Sequence, residues 1–76
     1  MRKIADIASE IEVFLHVDLN EEASKSLLGM HCIESTEDMH DGESGLSIVR
    51  RFLSFSSNWR GQHARRLKNE LERMIR

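Results

Sequence analysis

No proline interrupts this chain, tyrosine is missing, and a single cysteine, Cys32, stands among 76 residues. One thiol excludes an internal disulfide. Small secreted domains are typically stapled by several disulfides, so the composition points to a reducing compartment and a cytoplasmic protein. With no proline, and few β-branched residues beyond isoleucine, the chain has little that breaks helices and little that favours sheets. Long apolar runs are missing too. Asp6, Glu10 and Glu12 interrupt the stretch MRKIADIASEIEVF, which therefore reads as neither a signal peptide nor a membrane span. What the chain does have is charge on 32% of its residues and 39% hydrophobic residues, too many of the latter for wholesale disorder.

Length limits function before any motif is read. A chain of this size buries only about 60% of the surface its unfolded form exposes, which supports one core. An active site needs buried, preorganised groups held by further buried groups, and so small a core leaves few to spare. The expectation is one domain over residues 1–76 that is not an enzyme and carries no cofactor.

Apolar residues recur at helical spacing. Ile4, Ile7, Ala8, Ile11, Phe14 and Leu15 mark a first amphipathic helix over about residues 2–16. Asn20 followed by Glu21 and Glu22 has the chemistry of an N-cap with acids in the first turn. A second helix is therefore expected over about 20–33, with Ala23, Leu27, Leu28, Met30 and Ile33 as its apolar positions. Gly29 inside that helix costs about 1 kcal/mol relative to alanine, which predicts a close helix contact at this point. The segment ESTEDMHDGESG, residues 34–45, has no apolar period and reads as an acidic loop. Ser44 is the next N-cap. Leu46, Ile48, Val49, Phe52, Leu53 and Phe55 then cover much of the circumference of a third helix, 45–56, as in the central helix of a bundle. The serines and asparagine between Ser54 and Asn58 offer the backbone alternative hydrogen bonds and end it. A fourth helix, about 59–75, carries Ala64, Leu67, Leu71 and Met74 on one stripe. The fold class is all-α, a small bundle of three to four helices whose last two form an αα-hairpin or a sharper corner.

Charge is segregated along the chain. Residues 1–45 hold three basic and eleven acidic side chains, whereas residues 46–76 hold eight basic and two acidic, around a net charge of −2. Seven of the eight late bases are arginine, which binds carboxylates and phosphates bidentately and so favours a specific anionic partner. The plainer alternative is that the acidic and basic parts face each other within the bundle, and that Arg73 and Arg76 suit a helix C-terminus.

Patterns for other chemistry fall short. His31, Cys32 and His40, with Glu34, Glu37, Asp38 and Asp41, are the residue types that bind zinc, but His31 and Cys32 are adjacent and point about 100° apart on a helix. No CxxC, HExxH or calcium-loop spacing is present, so no metal is expected, and Cys32 reads as a small buried hydrophobe. No GxSxG elbow occurs, and no third group orients a Cys–His pair, so no catalytic residue is assigned. Trp59, the one tryptophan, reads as core packing at the corner between the last two helices, with Gly61 permitting close backbone approach. The alternative is an exposed aromatic anchor beside Arg60.

The opening MRKIADIASEI and the closing SIVRRFLSFSSNWRGQHARRLKNELERMI resemble a group of small bacterial and phage proteins. That group shares an IAxEI start and a WRGxxARRxKxEL C-terminal helix. The resemblance covers about half the chain and is carried best by Trp59-Arg60-Gly61 and Ala64-Arg65-Arg66-Leu67-Lys68. The middle departs from the group's pattern, which has an aromatic residue and a proline in its second helix. The resemblance implies a small protein of phage or mobile-element type and brings no activity with it.

Two functions follow. The first is a protein-interaction module that regulates or inhibits a host protein. It would present either the acidic loop, Glu34, Glu37, Asp38, Asp41 and Glu43, whose carboxylates would imitate nucleic-acid phosphates, or the arginine face. The second is a nucleic-acid binder using Arg60, Arg65, Arg66 and Lys68 near the start of the last helix. Net charge weighs against the second, because an acidic half repels a duplex unless it lies on the far side. A homodimer is compatible with both, since a small bundle can leave an apolar face uncovered.

Overall fold

The computed structural model describes residues 2–76 and contains four helices in chain order, α1 (Ile4–Phe14), α2 (Glu21–Met30), α3 (Gly45–Phe55) and α4 (Gln62–Met74). Each is shorter than the hydrophobic pattern predicts, because apolar residues just beyond a helix end still pack on the core from irregular backbone. Leu15, Val17, Ile33 and Ile75 all do so. The core joins Ile4, Ile7 and Ile11 of α1, Leu27 and Met30 of α2, Ile48, Val49 and Phe52 of α3, and Leu67 and Leu71 of α4, with Trp59 from the last connection.

The helix ends show why the boundaries fall where they do. Asn20 caps α2 as predicted. Its Oδ1 accepts from the Ala23 N–H at 2.9 Å, while its Nδ2 donates to the Phe55 carbonyl at 2.9 Å, so one side chain serves the start of α2 and the end of α3. Ser44 Oγ accepts from the Ser47 N–H at 3.2 Å at the start of α3. No side chain caps α1. Its first N–H groups instead donate to the carbonyls of Glu34 and Ile33, at 2.9 and 3.0 Å. Gly29 meets the expectation of a close contact: a Cβ there would lie 3.3 Å from Cγ2 of Ile48, so α2 and α3 approach each other over this glycine.

The acidic segment is more ordered than a loop. Met39–His40 (β1) and Glu43–Ser44 (β2) pair antiparallel, Met39 opposite Ser44 and His40 opposite Glu43. Asp41 and Gly42 at the tip have φ of 51° and 78°. An Asp-Gly pair with positive φ at both residues is the two-residue turn that matches strand twist, a local signal that outweighs the missing apolar alternation. Gly45, just after the hairpin, has no room for a side chain: a Cβ would sit 2.4 Å from the Ser35 carbonyl oxygen and 2.9 Å from Thr36 Cα. The segment is thus folded back onto the start of α3, with Gly45 N donating to Asp38 O at 2.7 Å and Leu46 N to Thr36 O at 3.0 Å.

Further expectations are corrected. α3 is one side of a pair, not a central helix: Ser47, Arg50 and Ser54 are exposed and Phe55 is 43% exposed. α3 packs on α2 while α4 packs on α1, so the last two helices turn a corner and do not form an αα-hairpin. α4 begins three residues later than the pattern suggests, because Trp59 leaves the helix to enter the core and Gly61, at φ 118°, sets the entry angle. A Cβ at Gly61 would meet nothing within 4 Å, so this glycine supplies backbone freedom and not close approach. Leu28, expected inward, is 65% exposed, and Cys32 is exposed as well.

Candidate binding surface

The four cations singled out from the sequence divide into two pairs. Arg66 is engaged within the fold. Its guanidinium donates to Glu10 Oε2 at 2.6 Å, lies 3.3 Å from His63 Nδ1, and stands 6.0 Å above the Phe14 ring, which in turn stacks on His63 at 3.7 Å between centroids. Lys68 is engaged too: its ammonium donates to the carbonyls of Ser56 and Trp59, both at 2.7 Å, and lies 5.6 Å from the Trp59 ring. The Ser56 carbonyl, at the end of α3, also accepts from the Trp59 N–H at 3.0 Å, whereas the Trp59 carbonyl, in the turn that follows, has the Lys68 ammonium as its donor. Burial, reinforced by nearby Arg60, pushes the Lys68 ammonium below the ordinary lysine value.

Arg60 and Arg65 are the other pair. Arg60 donates only its Nε, to Ser57 O at 3.3 Å, and Arg65 is exposed. Both flank a hollow of about 320 Å³ whose floor is Trp59 and Ala64, with Lys68 and Glu72 along its side. α4 brings Arg65, Lys68 and Glu72 to this side at three- and four-residue intervals, and the turn before it supplies Arg60. Trp59 is 1% exposed and meets Phe52 edge-on at 6.4 Å, which answers the question left by the sequence: the indole packs in the core.

Elsewhere the acidic and basic parts do meet. Arg51 pairs with Glu43 and reaches Glu22 at 4.0 Å. Arg2 bridges Glu10 and Glu70, each at 2.6 Å, joining α1 to α4. The guanidinium groups of Arg66 and Arg2 hold the Glu10 carboxyl below the usual carboxylate range, and Arg2 does the same for Glu70. Among the described residues, no carboxylate comes within ion-pair distance of Arg50, Arg60, Arg65, Arg73 or Arg76. Arg51 and Arg2, which the sequence did not mark as structural, become so only because the fold brings distant acids beside them.

The acidic segment is also partly engaged. Asp38 Oδ2 accepts from the Glu34 and Ser35 N–H groups at 2.8 and 3.1 Å, and these bonds hold its carboxyl below the ordinary value. Glu34 pairs with Lys3 at 3.0 Å, Glu43 with Arg51, and Asp41 sits at the hairpin tip 3.5 Å from His40 Nε2. Glu37 alone of the five has its carboxylate outside any ion pair or hydrogen bond among the described residues. No three His, Cys, Asp or Glu side chains converge among the described residues as a metal site requires. Among the described residues, no helix is long and apolar enough to cross a membrane.

No family model, curated protein or solved structure matches this chain.

Proposed function

We propose that the protein is a small, non-enzymatic binding module that grips an acidic surface of another protein with Arg60 and Arg65. One observation carries the reading: these two arginines flank a concave surface and are left without carboxylates, in a fold that pairs Arg2, Arg51 and Arg66 with acids. A guanidinium beside an apolar floor is a recurrent anchor of protein interfaces, because its fork selects carboxylates while its stem covers apolar surface. In a protein of phage or mobile-element type, the partner would be a host protein that the module regulates or inhibits.

Nucleic-acid binding is the less favoured reading for a specific reason. Of Arg60, Arg65, Arg66 and Lys68, the last two are already committed within the fold, which leaves two cations for phosphates. Two free arginines predict a slope of log affinity against log salt no steeper than about −2 on duplex DNA.

The test compares wild-type protein with the double variant Arg60→Glu, Arg65→Glu as bait in host lysate at physiological salt. A partner held by the wild type and released by the variant is expected. Identical retention by both, or no retention by either, refutes the proposal. Tight duplex binding with a slope well beyond −2 would favour the nucleic-acid reading instead.

A further inference from the structure

Two apolar surfaces remain uncovered, and their rims carry opposite charge. The first is a ridge. Leu28 on α2 is 65% exposed and borders a groove of about 380 Å³ whose floor includes Leu15 and Val17 and whose rim holds Glu12 and Asp18. On its other flank Leu28 borders a second groove where Lys25 lies. The second surface is a hollow of about 420 Å³ between the ends of α3 and α4, floored by half-buried Leu53 and Ile75 and rimmed by Arg50, Arg76 and Glu72. An exposed leucine beside aliphatic neighbours gains by burial, and a hollow floored by aliphatic groups gains by being filled.

We infer that these are the two sides of one contact between copies of this chain, in which the Leu28 ridge of one copy seats in the Leu53–Ile75 hollow of another. The charges are complementary in sign. The groove beside Leu28 carries two acids, Glu12 and Asp18, and no base; the hollow carries two bases, Arg50 and Arg76, and one acid, Glu72. Among the described residues, no carboxylate lies within ion-pair distance of Arg50 or Arg76. Apolar burial supplies the attraction, while rim charges choose the partner and set the register. Because ridge and hollow are different surfaces, copies join either isologously, each ridge in the other's hollow about a two-fold axis, or heterologously, one after another. It uses neither Arg60 nor Arg65, so it stands or falls apart from the proposal above.

Sedimentation velocity on the full chain tests it. Wild-type protein at roughly 0.2 mM and low salt is expected to exceed the 8.8 kDa monomer and to lose mass as salt shortens the Debye length. Two variants damage one side each, Leu28→Asp the ridge and Arg50→Glu with Arg76→Glu the hollow. All three residues are exposed, so the variants should keep the wild-type helical circular dichroism. Each variant alone is expected to be monomeric, and an equimolar mixture to recover a one-to-one dimer through its remaining intact ridge and intact hollow. Arg60→Glu with Arg65→Glu should assemble like the wild type. A wild type that stays monomeric overturns the inference. So does assembly that survives in both single-side variants, or a mixture that stays monomeric while the wild type assembles.

Discussion

Replacing Trp59 by alanine should remove a large part of this protein's stability. The indole is 1% exposed, fills the corner between α3 and α4, meets Phe52 edge-on at 6.4 Å, and lies 5.6 Å from the Lys68 ammonium. Truncating a buried tryptophan to alanine costs about 3–5 kcal/mol from lost transfer energy and the cavity left behind. The edge-to-face pair adds about 0.5–1.5 kcal/mol to what a wholly aliphatic site would lose. A chain of 76 residues has roughly 4–11 kcal/mol to lose, at about 0.05–0.15 kcal/mol per residue. Trp59→Ala therefore removes from about a third of the free energy of unfolding to all of it. Trp59→Phe keeps an aromatic ring toward Phe52 and should lose less than the alanine variant. Urea unfolding followed by far-ultraviolet circular dichroism measures both variants, since tryptophan fluorescence reports only on the wild type. An alanine variant within about 1 kcal/mol of the wild type would refute the assignment of Trp59 to the core, because only a surface residue is lost so cheaply.

Three other outcomes are expected. Gly45→Ala should destabilise by about 1–3 kcal/mol or more, because its Cβ would lie 2.4 Å from the Ser35 carbonyl oxygen; Gly42→Ala meets no neighbour and should cost only the left-handed backbone strain, about 1–2 kcal/mol, which thermal unfolding of the two variants compares. Lys68→Met should cost about 1–3 kcal/mol, because the Trp59 carbonyl loses its charged donor, whereas a cation kept only for a partner would change the unfolding free energy by less than about 0.5 kcal/mol. Acid should destabilise the fold through Glu10, Asp38 and Glu70. Their folded carboxyls titrate below their unfolded values, so their contribution is complete above about pH 5 and is lost as pH falls through the folded values. A melting temperature that stays level from pH 6 down to about pH 3 would contradict those pairings.

The four helices, the capping of α2 by Asn20 and of α3 by Ser44, and the close contact at Gly29 were legible in the residues, because periodicity, caps and glycine act over a few positions. The hairpin at Asp41-Gly42 was legible in principle from that dipeptide, but its flanking residues lack the alternation that usually accompanies it. The fate of the charged side chains was not legible at all. Arg66 and Arg65 are neighbours on one helix, yet Arg66 meets Glu10, 56 positions away, while Arg65 borders an open hollow. Likewise Leu27 and Leu28 differ by one position on the same helix, and the first is buried while the second is 65% exposed. Sequence alone determined that this chain makes amphipathic helices with its acids early and its arginines late, since those are properties of local spacing and count. Only the tertiary structure decided which arginines are neutralised and which apolar residues stay in water, because both depend on which helix faces which: α1 with α4 and α2 with α3. That pairing engages Arg2, Arg51 and Arg66 and leaves Arg60 and Arg65 beside a hollow where no carboxylate among the described residues comes within ion-pair distance of them.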